Sequence, residues 1–134
     1  MRFSALIPML QTTDMTRTIE WYQAVLNFSL SGQHKQEWCR LVRDDVSLMF
    51  MHNAHLGAPH ATATQYIYVD DVFGLWSSLR DHCSAEWGPT EMSYGMLEFA
   101  IRDPNGSQLR PANFKLSHDL SFVRMARMSI RAST

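Results

Sequence analysis

The chain has 134 residues, 46% hydrophobic and 19% charged, with a formal net charge of −1. That length buries a substantial core without disulfide or metal staples. The near-neutral balance excludes the broad basic surface that nucleic-acid binding needs.

Only two cysteines are present, Cys39 and Cys83, far apart and without metal-ligand spacing, so buried thiols in a reducing, cytoplasmic setting are expected. The opening MRFSALIPML is short and contains Pro8, so neither a membrane span nor a cleaved leader is expected.

Residues 3–11 read as a strand. A helix follows in TTDMTRTIEWYQAVLNF, where Met15, Ile19, Tyr22 and Leu26 share one face, Asp14 suits the N-cap and Asn27 suits a left-handed stop. Three short strands fit 28–34, 37–43 and 46–52, the last two joined by a tight turn at Arg43-Asp44-Asp45. The segment HNAHLGAPHATA carries His52, His55 and His60; without an accompanying carboxylate or Cys it reads as a solvated linker rather than a metal site.

The same plan then recurs. ATATQYIYV reads as a strand, and DDVFGLWSSLRDH as a helix with Val72, Leu75, Trp76 and Leu79 inward, while Gly88-Pro89 punctuates the strands that follow. Asp14-Met15 and Asp71-Val72 are 57 residues apart, which predicts a duplicated strand-helix-three-strand unit. The expected organisation is one domain over 1–113, with module one at 1–52, a linker at 53–62 and module two at 63–113. A tail at 114–134 could form a helix presenting Arg124, Arg127 and Arg131, either a solvated basic face or a dimer contact.

Asp103-Pro104-Asn105-Gly106 has the composition of a type I turn ending in a left-handed glycine, which closes a three-residue hairpin loop and sets residue 102 opposite 108. Period-2 alternation then puts Glu98, Ala100, Arg102, Gln108 and Arg110 on one face and Leu97, Phe99, Ile101 and Leu109 on the other. The apolar face must cover the helices, so the polar face looks into an open cleft. Alternation elsewhere adds Ile7, Met9, Gln11, Trp38, Arg40, Ser47, Met49, Met51, Thr64, Tyr66 and Tyr68 to the same side.

The segments IPMLQTTDM, IEWYQAVLNF, YIYVDDV and YGMLEFAIRDPNGSQL, in this order, resemble the vicinal oxygen chelate superfamily, the glyoxalase and bleomycin-resistance group. The resemblance implies an α+β fold of two paired βαβββ modules forming a curved mixed sheet around a cleft, often completed by a dimer partner. In its enzymes the cleft commonly holds a divalent metal bound by His and Glu from four strand positions. Those positions fall here at Ile7, about Met49, Thr64 and Arg110, and none of the four is a His or a carboxylate.

What the resemblance and the face assignment together imply is a metal-independent small-molecule binding protein, without cofactor. It would act as a homodimer and sequester a drug or metabolite with aromatic and anionic groups; antibiotic resistance is one use. The expected ligand-binding residues are Met9, Gln11, Trp38, Arg40, Met49, Thr64, Tyr66, Tyr68, Glu98, Arg102, Gln108 and Arg110. Arg110 either takes a ligand anion or serves as the structural partner of Glu98. Arg40, Arg102 and Arg110 outnumber Glu98 there, which argues against a cationic drug of the bleomycin kind. The alternative is a lyase, isomerase or dioxygenase of the same superfamily with a non-standard metal or none, and a third class is an interaction module whose cup is filled by its own side chains.

Overall fold

Periodicity and capping chemistry reappear in the computed structural model, which describes residues 1–115. The order is β1 (Met9–Gln11), α1 (Met15–Leu26), β2 (Ser29–His34), β3 (Trp38–Arg43), β4 (Val46–Met51), β5 (Thr64–Tyr68), α2 (Val72–Leu79), β6 (Ser84–Glu91), β7 (Met96–Arg102) and β8 (Gln108–Phe114). The strands form two four-stranded mixed sheets, ordered β1-β4-β3-β2 and β5-β8-β7-β6. In each, the first strand of the unit lies parallel to its last and the remaining pairs are antiparallel. This is the α+β architecture of two βαβββ units.

The duplication is visible at the helix starts. Asp14 (φ −144°, ψ 90°) accepts from the Arg17 amide, and Asp71 (φ −146°, ψ 88°) accepts from the Gly74 amide, both at 3.0 Å. Each cap satisfies a donor the helix cannot, worth about 1 kcal/mol. Asn27 ends α1 in the left-handed region, at φ 54°. The strand pairing repeats as well: Met9 pairs Met49 across β1 and β4, and its counterpart Tyr66 pairs Arg110 across β5 and β8.

One core serves both units. Met15, Ile19, Tyr22 and Leu26 of α1 join Leu41, Leu48 and Phe50 of the first sheet, Val72 and Leu79 of α2, and Phe99, Ile101 and Leu109 of the second. The buried Tyr22 ring meets Phe28 and Phe50 with centroids 5.5 and 5.2 Å away, and its hydroxyl donates to Asp103 Oδ2 at 2.7 Å. The turn containing Asp103 reaches α1 a second way: Asn105 accepts from Thr12 Oγ1 and donates to Thr18 Oγ1. The module-two hairpin thus braces the module-one helix.

Two expectations are corrected. The first strand is Met9–Gln11 rather than 3–11, because β4 pairs only from the Pro8 carbonyl onward, and Phe3 and Leu6 stand 89% and 91% exposed. Gly88-Pro89 does not separate strands but lies within β6, an edge strand whose register shifts between Ala85 and Trp87 and again between Trp87 and Thr90. An edge strand tolerates the missing proline N–H, and the bulges absorb the irregularity. The turn at 103–106 forms as expected, with the Gly106 amide donating to Asp103 O, Gly106 at φ 83°, and Arg102 opposite Gln108. The 116–134 part of the tail lies outside the described residues.

Candidate binding faces

Alternation places the core residues on the helix side of both sheets, so the opposite faces look away from the shared core. Cys39, Leu41, Leu48 and Phe50 are buried, while Trp38, Arg40, Met49 and Met51 between them are only partly so. On this first face Gln11 pairs Met51 and Met9 pairs Met49, and Arg40 pairs Met49 from the other side. The Trp38 indole N–H donates to Met49 Sδ at 3.4 Å, and Arg40 Nη2 donates to Ser47 Oγ at 3.1 Å. Gln11 is occupied differently, since its side-chain amide clamps the linker through Asn53 and Gly57. Ile7 lies ahead of β1.

The second face is more polar and more tightly bonded. Glu98 on β7 is fully buried, yet its carboxylate accepts from the hydroxyls of Tyr66 and Tyr94, the latter at 2.6 Å, and from Arg110 Nη2. The Arg110 guanidinium stands 5.2 Å from the Trp87 ring centroid and 6.0 Å from that of Tyr66. Tyr66 meets Tyr68 edge-on at 5.4 Å, and Tyr68 stacks with Phe114 at 6.1 Å. The sequence Trp87, Arg110, Tyr66, Tyr68, Phe114 is therefore a continuous aromatic and cationic platform, with Tyr66 and Tyr68 39% and 47% exposed. Below it Arg102 and Gln108 both donate to Glu86, and Gln108 accepts weakly from Thr64.

Protonation follows from these contacts. Burial alone would raise the Glu98 pKa, but the hydrogen bonds from Tyr66, Tyr94 and Arg110, with the charge of Arg110, outweigh it and hold the carboxyl below its usual range. Burial and the neighbouring Glu98 push the Tyr66 and Tyr94 phenols upward. The face therefore holds a carboxylate whose lone pairs are engaged and two phenols that keep their protons. Neither is suited to accept a proton from a substrate at neutral pH.

The expected binding residues fall into two sets. Met9, Gln11, Trp38, Arg40 and Met49 lie on the first face; Thr64, Tyr66, Tyr68, Glu98, Arg102, Gln108 and Arg110 lie on the second. Among the described residues no hydrogen bond, ion pair or ring contact joins the first five to the second set. The expected residues thus occupy two separate faces of the chain. A separate groove of about 850 Å³ runs between the units, bordered by Leu26, Phe28 and Val46 on one side and Ile67, Leu75 and Pro111 on the other; Tyr66 and Tyr68 reach it, and the other expected residues do not.

Sequence reasoning missed Trp87, Tyr94 and Glu86. The register shift around Glu86 spoils alternation on β6, and Tyr94 belongs to the connection before β7. The signal available for Tyr94 was its position four residues before a carboxylate that needed donors.

The donor chemistry does not fit the divalent metal that the resemblance implies. Thr64 is exposed, Met49 lies beside Trp38 and Arg40, and Arg110 is a cation engaged by Glu98. Among the described residues no three of His, Cys, Asp and Glu gather to hold a metal ion, and no helix is long and apolar enough to cross a membrane.

A family model described as "Glyoxalase/Bleomycin resistance protein/Dioxygenase superfamily" matches residues 6–110. No curated protein sequence matches the chain. Among solved structures, the bleomycin-binding protein of Streptomyces verticillus, complexed with copper(II)-bleomycin, is 19% identical, with 83% of this chain and 96% of that one covered and a TM-score of 0.68. A bleomycin resistance determinant encoded on the transposon Tn5 is 21% identical, with 85% and 100% covered and a TM-score of 0.70. A glyoxalase/bleomycin resistance protein/dioxygenase from Nocardioides is 12% identical, with 90% and 89% covered and a TM-score of 0.74. At these identities the likeness is one of fold.

Proposed function

We propose that this chain, which belongs to the glyoxalase/bleomycin resistance protein/dioxygenase superfamily, is a metal-independent small-molecule binding protein that sequesters a drug or metabolite with aromatic and anionic groups. The observation that carries this reading is the half-exposed platform of Trp87, Arg110, Tyr66 and Tyr68. Aromatic side chains held rigid at a surface offer large contact area to a planar ligand at little entropic cost. On the platform, Glu98 held below its usual range and the Tyr66 phenol pushed upward are poorly suited to accept a proton at neutral pH, which favours binding over acid-base catalysis there. The donor set at Ile7, Met49, Thr64 and Arg110 favours independence from a metal.

The reading includes a homodimer in the cytoplasm. What supports this is that the two faces look away from one core, so that a second copy would set one kind of face against the other: thioether and indole against phenol and guanidinium. Resistance to a toxic compound by sequestration is the biological use this mode of binding suits.

The test is saturable quenching of tryptophan fluorescence by planar aromatic compounds. Trp38→Phe, on the thioether face, should remove a large part of the signal change while leaving the fold intact. Quenching that persists unchanged in that variant places the ligand away from the first face; no saturable binding of any planar compound removes the reading.

A further inference from the structure

On the second face, charge is cancelled locally. Arg102 Nη2 lies 2.5 Å from Glu86 Oε1, and Arg110 is held by Glu98. The first face differs. Its single permanently charged side chain is Arg40 on β3, whose ladder neighbours are Met49 on β4 and Gly32 on β2. No carboxylate of the described residues forms an ion pair with it. Of the five N–H donors a guanidinium carries, one is placed, on Ser47 Oγ, and Nε is shielded from solvent with no acceptor.

Arg110 Nε shares that last condition, but an anion brought to Arg110 would stand beside the Glu98 carboxylate. Arg40 forms no such pair with any carboxylate of the described residues. A half-buried cation with unused donors costs free energy that an oxyanion recovers, and a guanidinium stays charged at every working pH.

The surroundings supply the rest of a binding surface. Gly32 lies under the Trp38 indole, where an added Cβ would stand 3.1 Å from a ring carbon, so the absence of a side chain on β2 lets the ring lie down on the sheet. The indole N–H is anchored on Met49 Sδ. A flat apolar surface therefore adjoins an uncompensated cation.

We propose that Arg40, seated on Ser47, is the anion-recognising group of this protein, and that its ligands combine a planar apolar body with one oxyanion. The body lies on Trp38 and Met49, and the oxyanion takes the free donors of the guanidinium. This rests on the small-molecule reading above and narrows it: specificity for charge belongs to module one, while the platform of module two is electrically balanced.

Two fluorescent probes with the same aromatic skeleton separate the issues, 8-anilinonaphthalene-1-sulfonate and the neutral N-phenyl-1-naphthylamine. The full chain should bind the sulfonate about tenfold more tightly than the neutral compound, as a hydrogen-bonded charge contact gives. Inorganic sulfate should displace the first probe and not the second. Arg40→Met, which matches the thioether neighbours, should abolish the preference, read as the ratio of the two probes' affinities. Arg40→Lys keeps the charge without the fork and should retain part of it, which secures the test if the methionine variant does not fold. A preference that survives Arg40→Met, or neutral and anionic probes bound equally by the unaltered chain, overturns the assignment while leaving small-molecule binding in place. Saturable binding of neither probe overturns both.

Discussion

Replacing Glu98 by Gln keeps the shape of the side chain but removes its charge and half of its acceptor capacity. Both carboxylate oxygens are in use: one receives the hydroxyls of Tyr66 and Tyr94, the other receives Arg110. An amide must therefore turn its NH₂ toward a donor on one side, and Arg110 loses its counter-ion. Breaking a fully buried pair in this way costs about 3–5 kcal/mol. Arg110 retains 28% side-chain exposure, so water compensates part of the loss and about 2–3 kcal/mol is expected. For a chain of this size that lowers the melting temperature by roughly 8–12 °C. Urea titration at neutral pH with parallel thermal melts measures it, and the pH dependence sharpens it. The Glu98 pKa is depressed in the folded state, so its contribution is present above the unfolded glutamate value of about 4.3 and is lost as pH falls through the folded value. The gap between the unaltered chain and Glu98→Gln should accordingly be widest near neutrality and shrink in acid. Asp103, whose pKa burial raises, titrates in both proteins and cancels in the difference. A variant as stable as the unaltered chain at pH 7, or a gap that ignores pH, would refute the reasoning.

Tyr22→Phe removes the hydroxyl donated to Asp103 and should cost about 1–3 kcal/mol in urea titration, since a buried carboxyl loses a partner; a loss below about 0.5 kcal/mol would show that this bond does not tie the two units together. Gly106→Ala would place its Cβ in ordinary contact with Ala61, 3.9 Å away, but on a left-handed backbone at φ 83°, and should cost about 1–2 kcal/mol by thermal melting. Chelator treatment should leave the melting temperature unchanged, because a bound ion would stabilise the fold by mass action; elemental analysis finding one divalent ion per chain contradicts the metal-independent reading.

Much of this architecture is legible in the amino-acid order because local chemistry and global fold agree. Asp14, Asp71 and Asn27 mark helix ends by mechanisms that need no tertiary partner, and alternation sorts Leu41 from Arg40 and Phe50 from Met49. What fails is what depends on a partner strand. The extended segment before Pro8 has strand-like composition, but nothing within the described residues pairs with it as a strand. Gly88-Pro89 signals a break that an edge strand can absorb, and the bulge there hides Trp87 from any period-2 count. Summed over a single cleft, the charge pattern sets three arginines against one glutamate. Glu86 and the separation of the two faces change that sum, since Arg102 and Arg110 are each cancelled at home and Arg40 is not.

The repeated register carries a consequence for how such a protein changes over time. Met9 with Met49, and Tyr66 with Arg110, occupy the same two seats of the same scaffold, one pair greasy and deformable, the other flat and charged. The methionine seat holds no charge, so a substitution there has no need to be matched in its twin, whereas Tyr66 and Arg110 are tied to the buried Glu98 beneath them. The first face can thus vary while the second face, with the carboxylate that anchors it, stays as it was. The repeated unit therefore gives this chain one face that is free to drift and one that is held to its buried charge.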